Sequence, residues 1–157
     1  MSVKRGWTMA AVAALGVVAI GATAMAAPAD TVKERQASMK AQGADLKAVT
    51  DYSRGKADKD AALKGAQDLA AHAAKSAKLF PKGTSSTDLP GVSKAKPEIW
   101  TDNAKFMAIL KGMQDKSAKL PAVIKTGTPD DVRTAAMDLA KTGCGACHSA
   151  YRAAGAQ

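Results

Sequence analysis

Apolar residues recur at intervals of three and four along almost the whole of this 157-residue chain, a spacing that is typical of helices. No stretch has the strict alternation of a half-buried strand. The spacing predicts helix A over about residues 31–53, helix B over 58–79, helix C over 97–120 and helix D over 128–153. The one long connection, residues 80–96, contains two prolines and two glycines. Four amphipathic helices of this length predict an all-α fold, an antiparallel four-helix bundle.

The predicted helix ends carry residue types that start or stop helices. Asp58 and Thr128 suit the N-cap position, and an acid follows Thr128 three residues later. Pro97 suits the first turn of helix C, whereas Pro121 and Gly127 are expected to close it. The boundaries therefore rest on capping chemistry as well as on apolar spacing.

Residues 1–26 differ in character from the rest of the chain. Two basic residues precede an apolar stretch over 7–22, and small residues follow at positions 24 and 26. A basic start, an apolar middle and a small-x-small end are typical of a secretory signal peptide, with cleavage expected before Ala27. An uncleaved membrane anchor is the alternative. We therefore expect residues 1–26 to be removed and residues 27–157 to form one soluble domain in the periplasm.

Composition and charge narrow the class of protein further. Hydrophobic residues make up 46% of the chain and charged residues 24%, which indicates a folded domain and not a disordered one. The formal net charge is +9, or +7 once residues 1–26 are removed. Aromatic residues make up only 4%, so an alanine-rich bundle must fill part of its core with something other than large side chains.

Both cysteines lie in one short motif, a Cys-Gly-Ala-Cys-His run over residues 144–148. Cys-x-x-Cys-His is the attachment signature of a c-type haem. On a helix, Cys144 and Cys147 lie about one turn apart, which suits thioether bonds to two vinyl groups of one porphyrin. The adjacent His148 can then provide the proximal iron ligand. The motif predicts one covalently bound haem c, with its iron, per chain.

Three other interpretations of the motif fit the sequence less well. A thioredoxin-like redox pair follows a strand, whereas a helix precedes this motif. A zinc site needs four ligands, and His72 is the only obvious addition to the three in the motif. A surface disulfide explains neither the adjacent histidine nor the scarcity of aromatic residues. A haem explains that scarcity, because its large apolar area fills the space between alanine-rich helices.

Four segments carry a resemblance to a known family. The motif and its continuation, residues 144–152, lie near the C-terminus and place a basic residue four positions after the histidine. Residues 32–40, 79–81 and 96–100 have the pattern of a first helix, a loop and the opening of a third helix. Over essentially all of residues 27–157 the chain thus resembles the class II cytochromes c, the cytochrome c′ family, and its loop is similar to that of the low-spin members. The resemblance implies a four-helix bundle that holds one haem.

The resemblance gives Met39 a particular meaning. In the low-spin members this position of helix A holds a methionine that binds iron on the distal side, and in the high-spin members it holds a non-ligating residue. A thioether suits haem iron, and Met/His ligation raises the reduction potential. Gly43, one turn further along, would let the macrocycle approach the helix closely. An ordinary core methionine is the alternative interpretation of Met39.

The resemblance also implies weaker candidates around the haem. Arg35 corresponds to an arginine near the haem propionates, with a solvated helix charge as the alternative. Arg152 corresponds to the basic residue near the proximal histidine. Trp100 and Phe106 are expected to pack near the haem, or simply in the core. His72 is expected to be a partly exposed helix residue and not a second axial ligand.

These features together predict a periplasmic electron carrier that is not an enzyme, since no nucleophile or acid–base pair is evident. A sixth ligand from Met39 would keep the iron geometry nearly constant between its two redox states. The surplus of lysine suits the steering of an acidic redox partner protein, with an anionic membrane surface or solubility alone as the alternatives, and nucleic acid is disfavoured. The chain is expected to be a monomer or a homodimer. The alternative function is a high-spin, five-coordinate protein that binds nitric oxide or carbon monoxide.

Overall fold

The structure is a computed structural model that describes residues 27–154. The predicted signal peptide, residues 1–26, lies outside the described residues, as do residues 155–157. All the long elements of the described part are helices. They are α1 (Pro28–Ser53), α2 (Lys59–Lys75), α3 (Glu98–Thr101), α4 (Asn103–Thr126), α5 (Pro129–Asp138) and α6 (Ala146–Tyr151). No helix within residues 27–154 combines the length and the apolarity needed to cross a bilayer.

Four rods form the bundle, because α5 and α6 are joined by a π-helical segment, Leu139–Gly145, into one continuous rod. The first rod, α1, packs against α2 and α5, and α4 packs against α2 and the α5–α6 rod. This closed arrangement buries an apolar stripe from every rod in one common core. The predicted all-α bundle is confirmed.

Several predicted helix boundaries are also confirmed. Asp58 caps α2 by accepting a hydrogen bond from the backbone N–H of Ala61 at 2.7 Å. Thr128 and Asp131 form a complete capping box at the start of α5, each side chain accepting from the other's backbone N–H. Gly127 ends α4. Short polar side chains at these positions satisfy N–H groups that have no partner inside the helix.

Three details of the helix prediction are wrong. Pro121 does not close helix C but lies inside α4, where it removes a single backbone hydrogen bond from a helix whose next turn is anchored by the fully buried Ile124. Helix C does not run continuously from Pro97, since α3 ends at Thr101 and the backbone of the next residue, Asp102, is not helical (φ −114°, ψ 44°). Helix D is not a single α-helix, because the π-helical segment interrupts it.

Candidate cofactor-binding site

A cavity of about 570 Å³ lies at one end of the bundle. Its wall is formed by α1, the connection after Leu79, α3, the N-terminal half of α4 and the end of the α5–α6 rod. Most of the lining side chains are apolar, among them Leu46, Ile99, Leu110 and Met113. The volume lies in the range of about 300–1,000 Å³ that is usual for cofactor and ligand pockets.

The π-helical segment delivers the Cys-x-x-Cys-His motif to this cavity. π-Helical turns are rare, and they occur most often at functional sites. At Gly143 in this segment, a Cβ atom would lie only 3.0 Å from Leu139 Cδ1 and 3.2 Å from Met113 Cβ. A larger residue would have to displace the side chains of Leu139 and Met113, so glycine favours the close approach of the segment to α4. Cys144, within the segment, and Cys147, just after it, are free, half-buried thiols in the cavity wall.

Burial keeps the three motif side chains neutral. It raises the pKa of the Cys144 thiol, and it raises that of Cys147 to about 11, with a further contribution from Cys144. Burial also lowers the pKa of His148, and the charge of Arg152 lowers it further. A neutral imidazole is the form that presents a nitrogen lone pair to a metal.

Successive turns of α1 form the wall that contains the predicted distal ligand. Met39 is half-buried and lines the same cavity as His148. One turn later, a Cβ atom added to Gly43 would meet no atom within 4 Å, so the wall is open at this position. Between them, Gln42 is buried and donates to Ser38 Oγ and Ser76 Oγ, both at 3.2 Å. The helix thus brings a thioether and an uncovered stretch of backbone to the cavity.

Arg35 is buried in the wall and is not the solvated helix charge of the alternative interpretation. Its Nη1 donates to the carbonyl of Leu79 at 3.2 Å and to Thr84 Oγ1 at 3.1 Å, and its Nη2 donates to Thr84 O at 3.0 Å and to Ser93 Oγ at 2.9 Å. The guanidinium carbon lies 4.8 Å from the centre of the Phe80 ring. Burial lowers the pKa of Arg35. Arg35 therefore fastens the long connection to α1.

Three aromatic rings form one side of the cavity. Phe106 is buried between Phe80 and Tyr151, with edge-to-face contacts at centroid distances of 5.0 Å and 5.4 Å. Trp100, by contrast, does not line the cavity; its indole Nε1 donates to the carbonyl of Phe80 at 3.1 Å. The structure thus brings Phe106 to the cavity and places Trp100 behind Phe80.

The two remaining candidates lie in different places. Arg152 is exposed at the cavity, and it forms an isolated β-bridge with Ala95 that ties the C-terminus to the long connection. His72 lies outside the cavity wall, on α2, where its Nδ1 is 2.9 Å from Asp45 Oδ2. It is a half-exposed helix residue, as the sequence predicts.

Several wall residues were not predicted from the sequence. Phe80 and Tyr151 complete the aromatic side of the cavity. Tyr151 could have been predicted, because it lies one turn after His148 on the same helix and so on the same face. Gln42 lies one turn after Ser38 and gives a polar group to the wall. Nothing in the sequence around Gln42 distinguishes it from a glutamine exposed to solvent.

These residues fit one cofactor. Two neutral thiols and a neutral imidazole meet at an apolar cavity, opposite a glycine where α1 leaves room for a flat group. This is the donor set of covalent haem attachment, and the fold and site together define a c-type cytochrome with a helical-bundle architecture.

The comparisons with known proteins agree with this class. The family model of cytochrome c′ matches residues 30–152. Cytochrome c′ of Alcaligenes xylosoxydans is 35% identical over 81% of this chain and 96% of its own length, and that of Rhodopseudomonas palustris is 31% identical over 88% and 92%. A nitric oxide complex of a variant of the Alcaligenes protein superposes with a TM-score of 0.71 at 32% identity, covering 82% of this chain and 98% of that chain. The chain belongs to the cytochrome c′ family.

Membership of the family establishes the cofactor. Cytochrome c′ is a non-enzymatic haem protein of the electron-transport class that carries one c-type haem, and the Cys144/Cys147 pair fits its attachment. The prediction of one haem c per chain is thus confirmed. The prediction of the low-spin Met/His branch goes further than the family assignment and is taken up as a proposal.

Proposed function

We propose that this protein is a periplasmic electron carrier whose iron is held by His148 and Met39. The observation that supports the proposal is that Met39 on α1 and His148 on α6 line one cavity, although 109 positions separate them in the sequence. When bound, the haem supplies an iron that changes between ferric and ferrous states. Binding of the iron by both His148 and Met39 would leave no place for an exogenous ligand, and the site would change little between the two redox states.

The chain's own residues attach and enclose the group. Cys144 and Cys147 would hold it by thioether bonds, and the apolar wall with Phe106 would exclude water from it. Arg152, exposed beside His148, would tune this imidazole through its charge, which adds to the effect of burial in lowering the pKa of His148. Arg35 and Trp100 would act through the long connection, since both donate hydrogen bonds to it.

Residues 1–26 would serve as a cleaved signal peptide that exports the chain. Its basic start, apolar middle and small-residue end support this assignment. Export would bring residues 27–157 to the periplasm as a single domain. There the carrier would exchange electrons with redox partner proteins of acidic surface, because the exported chain has a net charge of +7.

A second function is favoured by the relatives. Two variants of the similar Alcaligenes protein have been solved with nitric oxide bound, and these structures support a gas-binding function for this chain more directly than an electron carrier. Such a function needs a five-coordinate iron, with Met39 as an ordinary wall residue. The thioether at position 39 favours the carrier, and the structures of the relatives favour the gas binder.

The residue pair Met39 and Met113 separates the two functions. Both methionines line the cavity, Met39 from α1 and Met113 from α4. Substitution by leucine nearly conserves the volume and removes the sulfur. In haem-loaded protein, Met39→Leu should convert the ferrous spectrum from six-coordinate low-spin to five-coordinate, and Met113→Leu should leave it unchanged.

Carbon monoxide gives the complementary measurement. Reduced wild-type protein should bind it slowly or not at all, whereas Met39→Leu should bind it at once with a shifted Soret band. Immediate binding to the wild type, together with a spectrum that Met39→Leu leaves unchanged, would overturn the carrier and establish the gas binder. Equal spectral changes in both leucine variants would also count against Met39 as a ligand.

A further inference from the structure

Two long polar side chains are buried on the inward stripe of α1, one on each side of Met39. The residues of this stripe recur at alternate intervals of three and four, and they are Val32, Arg35, Met39, Gln42, Leu46, Val49 and Ser53. Such a spacing is typical of a core stripe, in which apolar side chains are usual. Arg35 is only 5% exposed and Gln42 only 6%, although both lie beside an apolar cavity. Burial of an amide or a guanidinium costs free energy unless its hydrogen bonds are made, so packing alone does not account for either residue.

Both side chains bind the same short element, the 3₁₀ turn that follows α2, begins at Ser76 and ends at Leu79. At the end of the turn, Arg35 Nη1 donates to the carbonyl of Leu79 at 3.2 Å. At its beginning, Gln42 Nε2 donates to Ser76 Oγ, also at 3.2 Å. One stretch of α1 is therefore anchored to the two ends of a single turn, and Met39 lies between the two anchors.

Apolar packing cannot fix α1 at this level, because the inward face of the helix meets the cavity. Val32 and Val49 are fully buried at either end of the stripe, and four residues between them line the cavity. A hydrogen bond has a direction and a definite length, so it can fix the rotation of a helix where side chains do not interdigitate. Successive residues of a helix are about 100° apart around its axis, so rotation of α1 by a fraction of this angle would turn the Met39 thioether relative to the cavity.

We propose that Gln42 is a positioning residue that, together with Arg35, holds the thioether of Met39 in place for the iron. The proposal rests on the electron-carrier function given above, in which Met39 is an axial ligand. Gln42 does not act on the iron itself but acts through the rotation of α1 about its axis. A buried polar group on a core stripe can select one register of packed helices at a cost in stability. Here the selected register keeps Met39 in the cavity wall.

A pair of buried serines tests this role without a change to the cavity wall. Ser76→Ala removes the acceptor of the Gln42 bond, and Ser76 lies outside the wall. Ser117→Ala is the matched control, because both serines are fully buried and each donates to a carbonyl in the preceding turn of its own chain segment. Of the two, Ser76 alone accepts a hydrogen bond from Gln42. Gln42→Leu removes the donor side of the same bond with a side chain of similar size.

The measured quantity is the rate at which carbon monoxide binds to the reduced, haem-loaded protein, because this ligand must wait until Met39 leaves the iron. Ser76→Ala should accelerate binding about threefold to tenfold, the equivalent of one lost hydrogen bond, and Ser117→Ala should bind at the wild-type rate. The absorption band that methionine ligation gives to the ferric protein should weaken in Ser76→Ala and not in Ser117→Ala. Gln42→Leu should show the same changes as Ser76→Ala, and the double variant should show no larger ones, because both substitutions remove one bond.

Denaturant unfolding separates positioning from stability. Gln42→Leu puts an apolar side chain on the core stripe, and Ser76 Oγ keeps its hydrogen bond to the carbonyl of His72. The unfolding midpoint of Gln42→Leu should therefore be no lower than that of the wild type, although carbon monoxide binds faster. Equal acceleration of carbon monoxide binding in Ser76→Ala and Ser117→Ala would indicate general loosening of the bundle and overturn the proposal, as would additive effects in the double variant.

Two results distinguish failure of this proposal from failure of the electron carrier. Immediate binding of carbon monoxide to the wild type, with a spectrum that Met39→Leu leaves unchanged, would overturn both. If Met39→Leu opens the sixth position while Ser76→Ala and Gln42→Leu bind carbon monoxide at the wild-type rate, the carrier stands and only the positioning role of Gln42 is overturned.

Discussion

The two ends of the bundle are built from the same rods, but their interiors are filled differently. One end contains the cavity, and the other lies beyond it. Beyond the cavity, the fully buried side chains of Val49, Leu120, Ile124 and Val132 meet in a solid core. At its border with the cavity, α1 and α2 approach so closely that a Cβ atom at Gly65 would lie 2.9 Å from the carbonyl oxygen of Asp45. We call this end the closed half and the other the cavity half.

In the cavity half, polar side chains are buried around an open volume. Arg35, Gln42, Ser76, Thr84 and Ser93 are all buried there, and hydrogen bonds between them hold α1, the end of α2 and the long connection together. Directed hydrogen bonds can hold a wall in place around a space, whereas apolar packing gains its energy by removing space. The closed half therefore stabilises the fold, and the cavity half is shaped to receive a group that the chain does not itself provide.

Loss of the covalent haem attachment should have the largest effect, and it should affect the cavity half more than the closed half. In Cys144→Ser/Cys147→Ser, the cavity half should lose fixed side-chain packing, because the group that fills the cavity no longer remains bound. The closed half should keep its helices, so far-ultraviolet circular dichroism should fall only in part. The measurement is amide hydrogen exchange of the haem-free variant against the haem-loaded wild type. Equal protection of both halves without haem would contradict the comparison.

Truncation of two leucines on α4 should give the next largest effect and the sharpest test. Leu110 is buried in the cavity wall, and Leu120 is buried in the closed half. Leu120→Ala should cost about 2–5 kcal/mol of unfolding free energy in any state of the protein, because it opens a new cavity. In haem-free protein, Leu110→Ala should cost clearly less, since it only enlarges an existing space. Denaturant unfolding of both variants, each with and without haem, gives the four changes in unfolding free energy.

The two leucine variants also have a built-in control. With haem bound, the cost of Leu110→Ala should rise towards that of Leu120→Ala, because Leu110 then has a packing partner in the cavity. The same cost for Leu110→Ala with and without haem would show that the bound group does not contact this part of the wall.

Loss of the Arg35 network should have a smaller, local effect. Arg35→Ala removes a donor from the carbonyl of Leu79 and from Thr84 Oγ1, and one of the two donors from Ser93 Oγ, so it should reduce the unfolding free energy by about 1–3 kcal/mol. Exchange of the backbone amides in the long connection should accelerate while those of the closed half remain protected. The matched control is Gln36→Ala, which removes an exposed hydrogen bond from Nε2 to the carbonyl of Val92 in the same connection. Similar exchange in both variants would contradict the anchoring role of Arg35.

The closed half was more predictable from the sequence than the cavity half. Caps such as Asp58 and the Thr128 box depend on near neighbours, so local chemistry fixed them correctly. Pro121 was misjudged because tertiary packing retained a helix that local propensity would end. In the site, the thiols and His148 were evident from spacing, and the cavity does contain Met39. The role of Arg35 was not predictable, because its partners lie 44 to 58 positions away in a loop without periodicity.

Two carboxylates in equivalent settings give the smallest expected effect and compare the halves directly. Asp131 accepts hydrogen bonds from Thr128 in the closed half, and Asp88 accepts them from the N–H and Oγ of Ser85 in the long connection. These bonds lower the pKa of both carboxyl groups below the ordinary value of 3.8. Both contributions to stability are therefore complete above that value, and they are lost as the pH falls through the lower pKa of the folded state.

The substitutions Asp131→Asn and Asp88→Asn should therefore each slightly reduce the fall in unfolding free energy that the wild type shows at acid pH. Asp131→Asn should lower protection of the first turn of α5 above pH 4, the region where the native carboxylate is charged. Asp88→Asn should instead affect only the long connection, because Asp88 lies in that segment and binds Ser85 within it. Hydrogen exchange measured across this pH range separates the two. A loss of protection at the same place in both variants would mean that the two halves unfold as one unit, and the distinction between them would fail.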